Sequence, residues 1–335
     1  MNAGIEPIFW MGNRYATDLQ MVTHDPTEIT EDGFWAVSIS FEGKWTCAKF
    51  SIVEESEFPR TNSEFIISEF QSSMNRDTYI SYVEAIQEEI SNGWVYQVNA
   101  CRILSAQVSS DTSLAGLFSS ILLNNPAPYA SYLRIPGLEI ASASPELFLK
   151  RTGEHVKSSP IKGTRPTGGE EFGSKDSAEN VMIVDLMRND LASISIPGTT
   201  HVPRLLGTEA HPGLFHLVSD VASTLTPGIT WKEILTALMP PGSVSGAPKS
   251  SAISVIAENE GKRGPYCGAL GWVNDGDAHL AVGIRTFWQN HDEEIHFGTG
   301  AGITWGSNSA NEWEETELKA LRLMAIAEGR YARTR

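Results

Sequence analysis

The sequence predicts an α/β (α+β) fold in which meander-like antiparallel sheets carry helices on their outer faces. Two observations lead there. Strand-like runs at 266–273, 279–288 and 294–305 follow one another directly, without an intervening helix. Helical stretches instead gather before and after such runs, so the regular βαβ alternation of a doubly wound sheet is absent. The 335 residues suit one large domain or two. Gly and Pro are spread throughout, with no repeat or low-complexity tract, which favours one interleaved domain.

Residues 1–70 read as short strands and turns, with apolar alternation through 34–41 before a turn at Glu42-Gly43. They form a minor β-rich layer within the same domain, and 71–330 carries the remainder. From Asp77 the pattern turns helical: Tyr79, Val83, Ile86 and Ile90 share a face, Asp77 caps the start and Gly93 closes the end. A strand follows at 95–108, a short helix at 114–123, and β-rich segments at 129–159. Further helices are expected at 176–191, 231–238, 248–260 and 311–329.

Composition narrows the function. Lys and Arg number 25 against 41 Asp and Glu, a net charge of −16, and such a surface repels phosphate backbones and anionic lipid. Neither nucleic acid nor membrane is an expected partner. The N-terminus lacks the basic segment of a secretory signal, and no apolar run has the length of a membrane span. Cys47, Cys101 and Cys267 lie far apart with no CxxC spacing, as expected of a reducing compartment and not of a thiolate zinc site. A cytoplasmic location follows as the expectation.

Two glycine-rich runs imitate nucleotide loops. GSVSGAPKS at 242–250 has the wrong spacing for a phosphate loop, and Pro248 removes an N–H donor. GTGAG at 298–302 lacks the third glycine of GxGxxG and runs into ITW, leaving only a backbone that a ligand can approach closely. More telling is the helix at 176–191, where Glu179 points with Met182, Ile183, Leu186 and Asp190, away from Val181, Asp185 and Arg188. A carboxylate on an apolar face must be paired, protonated or bound to a cation; a buried salt bridge or a helix-end cap would also serve. In the last helix Glu312, Glu315 and Lys319 share one side. This is the arrangement of a solvated face with an i,i+4 ion pair, although two carboxylates on separate helices could share a hard cation.

Ordered motifs join these observations: SPELF at 144–148, PIKGT at 160–164, AENVMIVDLMRNDL at 178–191, HLVS at 216–219, PGSVSGAPK at 241–249, RGPYCG at 263–268, IRT at 284–286, GAGI at 300–303 and EWEET at 312–316. Together, over roughly residues 70–327, they resemble the chorismate-utilising enzymes. That family includes anthranilate synthase component I, aminodeoxychorismate synthase component I, and isochorismate and salicylate synthases. The resemblance implies two packed antiparallel β-sheets flanked by helices, an anthranilate synthase component I-like fold, with the active site between the sheets and 71–330 as the chorismate-binding catalytic domain.

By motif position it implies Mg²⁺ held by Glu179 and Glu315, with Glu312 acting through water. Tyr266, Arg285 and the backbone of Gly300, Ala301 and Gly302 would clamp the pyruvyl carboxylate, while Gly163, Thr164 and Lys319 complete the ring pocket. His216 would lie beside the ring. Glu146 aligns with the proton donor to the departing C4 hydroxyl. Lys162 is similar to the aminodeoxychorismate synthase pattern, where anthranilate synthases usually carry alanine, and Gln97 matches the amine-using members. The implied activity is amination of chorismate at C4 to 4-amino-4-deoxychorismate, for para-aminobenzoate and folate synthesis, with ammonia from a separate glutamine amidotransferase subunit. Anthranilate synthase component I and a catalytically silent chorismate-binding regulator are the alternatives. Thr167 and Trp305 depart from the residues usual at their positions, and the short N-terminal region gives no ground for a tryptophan or feedback site.

Overall fold

The computed structural model describes residues 6–30, 32–61, 67–109, 112–166, 171–211, 214–290 and 293–330. Among them are eighteen strands and six α-helices, and every ladder between the strands is antiparallel. One sheet runs in the order β6 (Gln97–Gln107), β18 (Glu294–Ile303), β17 (Thr286–Gln289), β8 (Leu138–Ser144), β7 (Tyr129–Ile135), β1 (Ile8–Met11) and β2 (Arg14–Thr23). The short β5 (Gln71–Ser72) and β14 (Gly246–Ala247) also pair with β6. The other sheet orders β3 (Phe34–Ile39), β15 (Ala269–Asn274), β16 (Asp277–Val282), β9 (Leu147–Thr152), β10 (His155–Ser159) and β13 (Leu214–Thr224). Both β11 (Ile161–Pro166) and β12 (His201–His211) lie on β13.

The two sheets share a seam. β4 (Trp45–Glu55) pairs with β2 along one edge and β3 along the other, so that Cys47, Ala48, Lys49 and Phe50 have partners on both sides. The N-terminal strands are therefore not a minor layer: β1 pairs with β7, β3 pairs with β15, and Trp35 is 1% exposed. All six residues of β3 are buried. The alternation expected through 34–41 implied one wet face, but a strand flanked by two others and covered on both faces hides every side chain.

The helices fall near their expected places: α1 (Arg76–Ser91), α2 (Ala115–Asn124), α3 (Ser174–Ala192), α4 (Trp231–Leu238), α5 (Lys249–Asn259) and α6 (Ser309–Ala327). The cap of α1 is Asn75, not Asp77; its side chain accepts from the Thr78 N–H at 2.9 Å, leaving Asp77 in the first turn. A larger difference matters for function. The single strand expected at 279–288 is two strands, β16 in one sheet and β17 in the other, and the chain crosses between them at 283–285 with Arg285 at φ 53°. Periodicity cannot show this break, because both halves are apolar and extended.

One buried ion pair ties the elements around the crossing. Arg263, 1% exposed, donates to both carboxylate oxygens of Glu260 at 2.7 Å, to Val244 O at 3.0 Å and to Asn99 O at 2.7 Å. Glu260 also accepts from Cys101 N and Tyr82 Oη, each at 2.9 Å. Four donors and acceptors from α1, β6 and the 242–244 turn thus meet on two side chains, one of them at the end of α5. Breaking such a pair by removing one partner leaves an uncompensated buried charge. Glu260→Ala is therefore expected to cost about 3–5 kcal/mol, read as a lower urea midpoint with an unchanged slope.

Candidate active site

A β-bulge opens the site. β11 pairs Ile161 with Val218 and Thr164 with His216, and the register slips between the two pairs. Lys162 and Gly163 occupy the slip, Gly163 at φ 91°, which aims the Lys162 side chain out of the ladder. Its Nζ donates to Ser243 O at 3.0 Å. Across from it, Glu146 stands in the two-residue link between β8 and β9, fixed by Val282 N donating to its carbonyl at 3.0 Å. The Glu146 carboxyl is 4% exposed, bonded to the Ser243 hydroxyl and the Ile161 N–H. Burial outweighs those bonds and the nearby Lys162, and pushes its pKa from 4.5 up to about 7. Burial also lowers the pKa of Lys162, against the pull of Glu179, Glu146 and Glu315 and with the help of Lys319. Of these neighbours Glu179 comes from α3 and Glu315 and Lys319 from α6, so both helices converge on the lysine.

Glu179 is half-buried on the apolar side of α3, in line with Ile183 and Asp190, while Val181, Asp185 and Arg188 are exposed as the helix periodicity predicts. Asp190 is accounted for separately by Lys249 at 2.6 Å. On α6, Glu315 pairs with Lys319 at 2.6 Å and Lys319 donates to Gly300 O at 3.0 Å. Glu312, expected on the same wet side, is only 5% exposed and close enough to Tyr79 on α1 to influence its hydroxyl. Among the described residues no group of three or more His, Cys, Asp or Glu is already gathered to hold a metal. Two carboxylates on facing helices suit Mg²⁺, which binds through one or two carboxylates and keeps most of its waters.

The glycines of β18 have an unexpected occupant. A Cβ at Gly298 would overlap the Tyr266 ring, one at Gly302 would overlap the Gln97 amide nitrogen, and one at Gly300 would lie 2.6 Å from Cys101 Sγ. The close approach expected of a ligand at 298–302 is in part made by the protein's own side chains. Tyr266 is 4% exposed, and the Cys101 thiol lies 3.9 Å from its hydroxyl. Cys101 and Cys267, distant in sequence, form a hydrogen-bonded thiol pair here. Gln97 is 1% exposed and its Oε1 has no partner among the described residues. Ala301 is fully buried, and Gly302 is half-buried beside Gln97. The Arg285 guanidinium has no hydrogen-bond partner among the described residues, and burial and Arg322 lower its pKa.

His216 is 1% exposed, with Nδ1 2.8 Å from Thr164 Oγ1 on the paired strand. Ser243 and Arg263 were not among the residues singled out from sequence. Ser243 lay within the run rejected as a phosphate loop, and a buried serine there is the signal that could have found it. Trp305 is 68% exposed. Thr167 lies outside the described residues.

Residues 33–325 match the family of chorismate binding enzymes. The chain belongs to that family. It is 37% identical over 274 residues to anthranilate synthase component 1 of Saccharolobus solfataricus, covering 77% of this chain and 64% of that protein. It is 34% identical over 272 residues to aminodeoxychorismate synthase component 1 of Salmonella typhimurium, covering 77% and 59%. The chain thus spans about three fifths of the length of these curated relatives. Its fold is that of anthranilate synthase component I from Streptococcus pneumoniae, at TM-score 0.77 and 23% identity over 95% of this chain and 90% of that one. A putative isochorismate synthase of Bacillus anthracis superposes at TM-score 0.80 with 20% identity, each chain covered to 97%. No helix among the described residues is long and apolar enough to cross a membrane.

The Glu146 carboxyl makes a pH prediction. Because its folded pKa is raised to about 7, the folded state binds the proton more tightly than the unfolded chain does. Stability is therefore lost as pH rises from about 4.5 through 7, by at most about 3 kcal/mol. Glu146→Gln has no such loss, so its thermal midpoint is expected to exceed that of the wild type at pH 8, and the gap to close at pH 4.

Proposed function

We propose that this chain is the chorismate-aminating component of an aminodeoxychorismate synthase. Its product would be 4-amino-4-deoxychorismate, the precursor of para-aminobenzoate and folate, with ammonia delivered by a glutamine amidotransferase partner in the cytoplasm. The observation that carries this reading is Lys162 beside the buried Glu146, with burial lowering the pKa of the one and raising that of the other. In the proposed sequence the neutral Lys162 amine attacks C2 of chorismate, both ring double bonds shift, and the C4 hydroxyl leaves as water with the proton of Glu146. Ammonia then adds at C4, both double bonds shift back, the C2–N bond breaks to release the neutral Lys162 amine, and the extra proton on the new C4 nitrogen returns to Glu146. Covalent occupation of C2 directs nitrogen to the para carbon.

Arg285 and Tyr266 would hold the pyruvyl carboxylate, together with the backbone of Gly300, Ala301 and Gly302. Lys319, Gly163 and Thr164 would bound the ring, with His216 at its edge and Gln97 presenting its unpartnered carbonyl to ammonia. Glu179 and Glu315 would hold Mg²⁺, with Glu312 acting through water; when bound, the ion would neutralise the ring carboxylate. Anthranilate synthase component I is the second reading, favoured by the 37% identity to the S. solfataricus protein.

Product analysis with chorismate, Mg²⁺ and an ammonium salt separates the two. 4-Amino-4-deoxychorismate is expected; anthranilate with pyruvate would overturn the assignment. Lys162→Ala is expected to slow C4 amination by about 10²-fold or more, of the order supplied by one positioned catalytic group. A mass adduct of chorismate less water is expected on wild-type Lys162 when ammonia is withheld. For the metal, Glu179→Gln is expected to abolish Mg²⁺-dependent turnover and leave the thermal midpoint within a few degrees; wild-type rates at limiting Mg²⁺ would refute the ligand assignment.

A further inference from the structure

Six strands of the second sheet align one row of side chains on a single face. Trp272 stands opposite His279, His279 opposite Lys150, Lys150 opposite Lys157, Lys157 opposite Ala222 and Ala222 opposite His201. Directly paired residues project to the same side of a sheet. Arg14 extends the row, its guanidinium 4.3 Å from the Trp272 ring centre. The next row along sets Thr152 opposite His155 and His155 opposite Thr224. A cavity of about 330 Å³ lies over these rows, lined by Lys150, Lys157, His155, His201, Thr152 and Thr224.

Like charges placed directly opposite one another destabilise a sheet, and on a chain of net charge −16 such a row is conspicuous. The protein does little to neutralise it. Lys157 lies 3.9 Å from Asp220, but that carboxylate already accepts two bonds from Arg204 at 3.0 Å and one from Ser159 at 2.6 Å. Lys150 has no ion pair among the described residues. His279, between Trp272 and Lys150 in the row, is pushed down to about 4 first by burial and then by Lys150, Arg14 and Lys157. Neighbouring strands lie about 4.8 Å apart, so Lys150 and Lys157 stand one strand spacing from each other, a separation that two linked oxyanion groups match.

We propose that this face is a binding site, separate from the chorismate pocket, for a small ligand carrying two linked oxyanion groups. Lys150 and Lys157 supply the charge, His155 and His201 flank it, and the Thr152 and Thr224 hydroxyls donate from the adjacent row. Phosphate and carboxylate share this chemistry.

The test is thermal unfolding of the full chain in Mg²⁺-free buffer at fixed ionic strength, with pyrophosphate in one series, succinate in another and NaCl as the balance. Millimolar pyrophosphate or succinate is expected to raise the midpoint by about 2–4 °C, and the more effective of the two identifies the source. In Lys150→Ala/Lys157→Ala the shift is expected to vanish, with affinity at least tenfold weaker. Its midpoint without anion should equal or exceed that of the wild type, because the repulsion is gone. Arg285→Ala should retain the shift, which separates this face from the chorismate pocket. Lys157→Gln alone serves the same purpose if the double variant does not fold. A shift matched by NaCl, or one that survives loss of both lysines, would overturn the proposal.

Discussion

The pairing of Arg263 with Glu260 is the constraint on which the site depends. These two side chains draw together the backbone of β6 at Asn99 and Cys101, the 242–244 turn at Val244 and the hydroxyl of Tyr82. From that junction Gln97 is placed on one side, Ser243 on the next and Tyr266 three residues along. A buried ion pair is poor value as a source of stability compared with apolar packing. Its use here is to fix backbone segments that have no regular ladder between them, with the geometry that six directional bonds impose.

What burial does to the chemistry follows from the same enclosure. Removal from water disfavours charge of either sign, so it raises the pKa of Glu146 and lowers that of Lys162. One physical cause thus favours the neutral form of both groups at once. The Ser243 link is bonded to both, through its hydroxyl to Glu146 and through its carbonyl to Lys162. The flanking carboxylates Glu179 and Glu315 oppose the effect on Lys162. A divalent cation on those carboxylates, as proposed, would offset that opposition.

The sheets make this enclosure possible because, among the described strands, they are joined at one edge only. β4 serves as the seam, and the crossing at 283–285 passes the chain from one sheet to the other with Arg285 in the gap. Three glycines of β18 then let Tyr266, Cys101 and Gln97 lie flat against that strand. A methyl group at any of the three would displace a side chain of the pocket wall, so the spacing of the run reflects internal packing as much as ligand approach.

The sequence by itself determined much of the arrangement. Helix periodicity put Glu179 on the buried side of α3, and ordered motifs identified the family and named Lys162, Glu146 and Arg285. Such properties are local: they depend on residues a few positions apart, or on motif order along the chain. Only the tertiary structure decided that β3 is buried on both faces, that 279–288 is divided between two sheets, and that Glu312 turns inward while Glu315 faces Lys319. It alone brought Cys101 to Cys267, Ser243 to Glu146, and Lys150 opposite Lys157. Each of these depends on which distant strand becomes a neighbour. That choice is made by long-range register and by the burial of both faces, neither of which leaves a periodic trace in a single stretch of sequence.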